Sequence, residues 1–436
     1  MRTKVLTAAT AATAATLAAL LTATPANATP TNADPTTVSS ATAGLATAGL
    51  TSAGPATAGP ATPATTAAAA RITVPEPTGR YAVGTAELHL VDDRPDPWRP
   101  DRPREVMATI AYPAERSHAP RAPWMAPGVA AGVDQLASAL FGTPPGAVDW
   151  ASPRRHARTD APPARGRWPV LLFSPGLGSV RELHAGVTDD LASRGYVVVS
   201  MSHTHESVAV EFPDGRVEPP LLDVEDPEDR RTAIEARIAD TRFVLDELAR
   251  FDHADLSRVG AFGHSYGGFT AGETMVRDRR IDVGANLDGA LAVSTDEADY
   301  QPGEVVTRGL DRPFLLVGSE LVDSDTGARV PHTHRERAVD PTWADFWPNQ
   351  RGWKRDLFFE GSRHNSFTDL QFAIPQLGGV LTPEQQQAIV GTIDPGRSLE
   401  AQRDYLAAYF DLHLKGRPTG LFRGDSPRHP DVHLVG

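Results

Sequence analysis

Residues 258–277 read RVGAFGHSYGGFTAGETMVR, and the reading of Gly263 to Gly267 within them decides the fold. Arg258–Gly263 is a short, largely apolar run, as a buried strand is, and Gly268–Arg277 carries a helical pattern. Between them, Gly263-His264-Ser265-Tyr266-Gly267 gives G-x-S-x-G in a strand–turn–helix setting, which is what a nucleophile elbow requires. Such a turn strains the backbone of its serine, and the glycines two before and two after let strand and helix approach closely. Ser265 is the expected nucleophile.

The flanks keep the same alternation. Pro169–Ser174 (PVLLFS), Tyr196–Met201 (YVVVSM), Val283–Leu287 and Phe314–Val317 are apolar runs bounded by Gly, Pro or polar residues. They read as strands buried on both faces of a parallel sheet, with Asp356–Phe359 as one more. Arg80–Val91 and Glu105–Tyr112 read as an opening antiparallel pair, since no helix fits between them. Helices are expected at Leu183–Ser193, Gly268–Arg277 and Ser398–Leu414. A further helix is opened by Asp226 as N-cap and Pro227, and carries Ile234, Ile238, Leu245 and Leu248 on one face. This pattern predicts an α/β-hydrolase fold, a mostly parallel central sheet flanked by helices. Residues 114–167 form an insertion between the second and third strands, with Val129, Val133, Leu136 and Leu140 at helical spacing. It reads as a helix packed on the sheet or as a cap. In the second case Trp124, Met125 and Phe141 would contribute to an acyl pocket or lipid-facing patch.

An activated serine needs a base, an acid to orient that base, and donors for the oxyanion. In this fold the triad runs in the order serine, acid, histidine. His364, in Gly361-Ser-Arg-His364, follows the last expected parallel strand and is the expected base. Two aspartates compete as the acid: Asp288 ends the strand after the nucleophile's, and Asp323 follows the strand after that. One oxyanion donor is the backbone N–H of Tyr266, directly after the nucleophile. The other is the N–H of Leu177 in Ser174-Pro-Gly176-Leu177-Gly178, where two glycines let the loop turn toward the serine.

Two His-x-His pairs, His203/His205 (followed by Glu206) and His332/His334, invite a metal reading. Neither has a clear third ligand nearby, so no metal and no cofactor is expected. His203 follows a strand end and is expected to support the oxyanion loop. Trp343, Phe346, Trp347 and Trp353 read as helix packing, with an apolar substrate cleft as the alternative.

The N-terminus reads differently. Residues 1–28 join a charged start, an apolar run and Ala26-Asn27-Ala28, the pattern of a secretory signal, so the protein is expected to be secreted. Residues 29–70 are almost entirely Thr, Ala, Pro, Gly and Ser and are expected to be a disordered linker. Residues 71–436 are left as one catalytic domain. The chain has no cysteine, so its stability rests on packing, and its net charge of −13 argues against nucleic acid and against electrostatic attachment to anionic membranes. That balance still allows a small apolar contact surface and so transient contact with lipid surfaces.

Taken together, Phe173-Ser-Pro-Gly176-Leu177-Gly178, Gly263-His-Ser265-Tyr-Gly-Gly268, Leu287-Asp288-Gly, Ser319-Glu320 and Gly361-Ser-Arg-His364 resemble the plasma-type platelet-activating-factor acetylhydrolases and their bacterial relatives. The resemblance runs from about Arg80 to Phe410. It implies Asp288 as the acid, the Leu177 and Tyr266 N–H groups as oxyanion donors, and calcium-independent cleavage of short or oxidised acyl chains from glycerophospholipids. Pro175-Gly176 departs from the family's His-Gly, which implies a different support for the loop. A broad carboxylesterase, lipase or polyester hydrolase is the alternative activity. A catalytically inert binding protein on the same fold is the alternative class, and a complete Ser/acid/His set argues against it.

Overall fold

Apolar runs too short for helices become the middle of one eleven-stranded sheet in the computed structural model, which describes residues 69–323 and 326–436. The expected leader, and the expected linker as far as residue 68, lie outside the described residues. In chain order the strands are β1 (Ala82–Pro95), β2 (Pro103–Ala114), β3 (Arg121–Pro123), β4 (Arg154–Thr159), β5 (Trp168–Ser174), β6 (Val197–Ser202), β7 (Ala254–His264), β8 (Val283–Leu287), β9 (Phe314–Gly318), β10 (Lys354–Phe359) and β11 (Val432–Leu434). Across the sheet the order is β11-β10-β9-β8-β7-β5-β6-β2-β1-β4-β3. The run from β10 to β6 is parallel throughout, and β1 and β2 form the expected antiparallel pair.

The helices that matter for the site are α1 (Pro127–Phe141), α2 (Ala185–Ser193), α3 (Pro227–Glu247), α4 (Tyr266–Arg277), α5 (Thr342–Asn349) and α6 (Pro395–Leu414). Successive strand residues serve two separate cores, as the period of two demands. On β5, Leu171 and Phe173 pack in the core that includes Leu191 of α2 and Phe410 of α6, while Val170 and Leu172 pack in the core that includes Ile238 of α3 and Phe269 of α4. Asp226 caps α3 by accepting the Glu228 N–H at 2.9 Å, with Pro227 in the first turn.

Three strands of the sheet were not expected: β3, β4 and β11. In β4 (RRHART), Arg155 is buried and ion-paired with the buried Asp189 of α2, so a charged side chain occupies a core-facing position that hydrophobic periodicity misses. The insertion contributes α1, which buries Val129, Val133 and Ala137. Trp124 and Met125 are enclosed in the same core as α1, and the Trp124 indole donates to Asp369 at 3.0 Å. They therefore form no lipid-facing patch. Trp343 and Phe346 are fully buried against the sheet, as packing predicts.

Candidate active site

Parallel strands bring their carboxyl ends to one edge, and in open α/β sheets that edge is where ligands bind. Ser265 sits there between β7 and α4 with φ 56° and ψ −128°, a conformation that costs a non-glycine residue roughly 1–3 kcal/mol. The turn is held from several sides. Ser265 N–H donates to Leu287 O at 2.8 Å. A Cβ on Gly267 would lie 1.9 Å from Ser174 O, and one on Gly268 would lie 1.8 Å from Asn286 Oδ1. No side chain fits at either position, which explains the glycines that follow the serine.

Asp288 ends the neighbouring strand, β8, on a second positive φ, 61°. Its carboxylate is fully buried and accepts four hydrogen bonds. Oδ2 takes the Ser319 hydroxyl at 2.7 Å and His364 Nδ1–H at 2.7 Å, and Oδ1 takes the Ser319 N–H at 2.8 Å and His332 Nδ1–H at 2.8 Å. Burial alone would raise its pKa, but the bonds from His332 and His364 hold it well below the usual carboxylate range. With Nδ1 of His364 engaged, Nε2 is the ring nitrogen left for other chemistry. The His364 side chain is 44% exposed, so this imidazole is within reach of solvent and substrate. Its backbone carbonyl accepts His264 Nε2–H at 3.0 Å, so the residue just before Ser265 also fixes the histidine loop. The competing acid, Asp323, lies in a hairpin formed by Glu320–Val322 and Arg329–Pro331, where it accepts the Thr326 N–H at 2.8 Å.

The loop after β5 folds back on the serine: a Cβ on Gly176 would be 3.2 Å from Ser265 Cβ. Ser179 N–H donates to Gly176 O at 3.1 Å, closing a turn with Leu177 second and Gly178 third, and Gly178 has the positive φ (71°) that a type II turn requires there. Tyr266 is the first residue of α4, so its N–H has no acceptor within the helix. Beneath the loop lies a buried polar layer. Arg237 of α3 donates to Pro175 O at 2.7 Å, to Gly176 O at 3.1 Å and to Glu206. Ser174 Oγ donates to His203 Nε2 at 3.2 Å, and His203 Nδ1–H donates to Asp240 Oδ2 at 2.8 Å. This is a second Ser/His/Asp row, but all three residues are buried, which leaves it support of the loop as its role.

A family model described as "Platelet-activating factor acetylhydrolase, isoform II" matches residues 67–213. A probable 1-alkyl-2-acetylglycerophosphocholine esterase of Arthroderma benhamiae is 29% identical over 390 residues, 82% of this chain and 92% of that protein. The platelet-activating factor acetylhydrolase of Cavia porcellus is 22% identical over 391 residues, 78% of each chain. A solved ferulic acid esterase from Streptomyces cinnamoneus is 34% identical, with a TM-score of 0.69, over 84% of this chain and 99% of that one. The chain is similar to the platelet-activating factor acetylhydrolases over about four fifths of its length. It has the α/β-hydrolase fold and is a carboxylic ester hydrolase.

In the His332/His334 pair each ring has a carboxylate partner and an indole stacked on its face. His332 Nε2–H donates to Asp340 at 2.8 Å, and its ring stacks on Trp343 at 3.8 Å. His334 donates to Asp356 at 2.7 Å and stacks on Trp347 at 3.8 Å. Among the described residues no group of three or more His, Asp or Glu side chains is arranged to hold a metal ion. Sequence reasoning missed Arg237 and Asp340 and the contacts of His264 and His332. His264 lay inside the elbow motif, and His332 stood out only as half of a His-x-His pair.

Proposed function

We propose that this chain is a secreted serine esterase that cleaves short or oxidised acyl chains from glycerophospholipids through an acyl-enzyme on Ser265. The observation that carries the reading is the 2.7 Å bond from His364 Nδ1 to the buried Asp288, beside a serine on a strained elbow. Asp288 fixes the tautomer in which Nε2 bears the lone pair. That nitrogen takes the Ser265 proton as Oγ attacks the ester carbon, then gives it to the departing alcohol. Water repeats the sequence to release the acid and restore the serine. The Leu177 and Tyr266 N–H groups carry the oxyanion. The orientation of Leu177 follows from Arg237: a trans peptide points its C=O and N–H in opposite directions, so holding Gly176 O inward turns the Leu177 N–H outward.

Export rests on the leader pattern of residues 1–28. A second substrate reading, a broader esterase that accepts aromatic acyl groups, is favoured by the 34% identity to a ferulic acid esterase. One panel separates the two: esters of increasing acyl length with and without a phosphocholine head group, and methyl ferulate. Preference for the acetylated phosphocholine ester supports the first reading, and preference for methyl ferulate the second. A fluorophosphonate probe should label Ser265 alone, with labelling and hydrolysis both lost in Ser265→Ala. Intact labelling of that variant would overturn the serine assignment. Activity should survive exhaustive EDTA treatment, and loss restored by added calcium or zinc would contradict the metal-free mechanism.

A further inference from the structure

His332 offers no free nitrogen. Nδ1 lies 2.8 Å from Asp288 Oδ1 and Nε2 lies 2.8 Å from Asp340 Oδ2, both in the buried interior. A neutral imidazole has one N–H and one lone pair, so it could satisfy only one carboxylate and would set its lone pair against the other. An imidazolium donates to both. We infer that His332 is a cationic positioning residue which, with Asp340, forms a carboxylate–imidazolium–carboxylate bridge that keeps Asp288 ionised and aimed at His364. The inference rests on the reading of Asp288 as the triad acid.

Each member of the bridge has a physical task. A carboxylate without exposure to water tends to take up a proton, and a protonated Asp288 could no longer stabilise the charge that forms on His364. The His332 cation opposes that. By itself the cation would also repel the His364 imidazolium, and Asp340 offsets this by restoring a negative balance. The groups facing His332 are Asp288 at the end of β8, Ser319 after β9, Asp340 before α5, Trp343 on α5 and, at longer range, Asp356 of β10. Burial works against its proton, but the bonds to Asp288 and Asp340 outweigh it and raise the pKa to about 10. The geometry is fixed as well. His332 N–H donates to Ser319 O at 2.8 Å, Asp340 Oδ1 accepts the Thr342 N–H at 2.7 Å, and the Trp343 ring covers the imidazole face.

The test uses the full-length enzyme, a soluble short-chain ester and the pH profile of kcat/KM, whose acidic limb reports protonation of the base. His332→Gln keeps a donor toward Asp288 but removes the cation. It should lower kcat at least roughly tenfold, leave KM within about twofold, and move the acidic limb to higher pH. Asp340→Asn is nearly isosteric and keeps an acceptor for the Thr342 N–H, but it turns an NH2 toward His332 Nε2, so a neutral imidazole now satisfies both neighbours. With the cation lost kcat should fall, and the limb should move less than in His332→Gln. The double variant removes both charges and should recover part of the kcat lost in His332→Gln, a rescue that a merely structural role would not give. Either single variant, if folded, is sufficient. Parental kcat and an unmoved limb in the folded variants would overturn the inference. Ser265→Ala, run alongside, keeps the outcomes separate, because activity in that variant would instead sink the proposed function.

Discussion

At the scale of single residues, Asp288 and Asp323 give the sharpest contrast. Asp288 is buried and bonded to His364, whereas Asp323 shapes a hairpin turn. Asp288→Asn keeps the shape but removes the charge and favours the wrong imidazole tautomer, so kcat should fall by something on the order of 10⁴. Asp323→Asn should stay within about twofold of the parent, since a turn carboxylate does little for the transition state. Measuring both on one soluble ester decides, and a crippled Asp323 variant beside an active Asp288 variant would reverse the assignment. His332 makes a different prediction, about stability. Its folded-state pKa is raised to about 10, so its contribution is complete below the ordinary imidazole value near 6.5 and is lost as pH rises through 10. Asp288 behaves in the opposite sense: held below the usual range, it contributes above about pH 4, and the contribution is lost as pH falls. The gap in urea midpoint between parent and His332→Gln should therefore be widest near pH 6 and close by about pH 10.5. A gap constant over that range would contradict the buried cation. As members of the proposed site, Ser265, His364, Leu177 and Tyr266 could be named from the sequence because a turn motif and a strand order announce them locally. Asp288 was one of two candidates, because loop aspartates follow two successive strands. His332 and Asp340 were illegible, because their meaning depends on Asp288, which lies 44 residues before His332.

At the scale of elements, α3 links the core to the chemistry. Its apolar residues were readable from their spacing: Ile234, Ile238 and Leu245 are buried, as is Leu248 just past its end. Arg237 and Asp240 lie three and six residues after Ile234, on the same buried face, where a hydropathy reading counts them as interruptions. They are the inner ends of the clamps on the loop after β5 and on Ser174. Arg237→Met keeps an unbranched side chain but releases Pro175 O and Gly176 O. It should lower kcat roughly 10- to 100-fold, less than the 10²–10³ typical of losing an oxyanion donor outright, with circular dichroism unchanged. Parental kcat in a folded Arg237→Met would detach the clamp from catalysis. Gly267→Ala tests the junction of β7 with α4. The added methyl would sit 1.9 Å from the carbonyl oxygen of Ser174, and both partners are backbone, so neither can swing aside. That variant should fail to reach a native thermal transition, and a parental melting temperature would show the elbow to be looser than its geometry.

At the scale of the whole molecule, two cores back to back on one sheet make the chain legible in outline and opaque at its margins. The central strands declare themselves because both of their faces are apolar. The marginal ones do not: β4 hides a paired arginine, and β11 is three residues long with only Val432 fully buried. Yet β11 has a consequence out of proportion to its length. It lies antiparallel to β10, and the segment around it covers the outer side of that strand, where Glu360 N–H donates to Asp431 O and Val435 N–H to Asp356 O. Without it, a row of backbone donors and acceptors would stand open along β10, a template for strands of other molecules. Deleting residues 430–436 should leave the turnover of freshly prepared, dilute enzyme near parental, because no member of the candidate site is removed. Light scattering should then rise with protein concentration as exposed rims pair. If the rim is guarded in this way, a fusion that pulls residues 430–436 off the sheet should cost solubility before it costs activity.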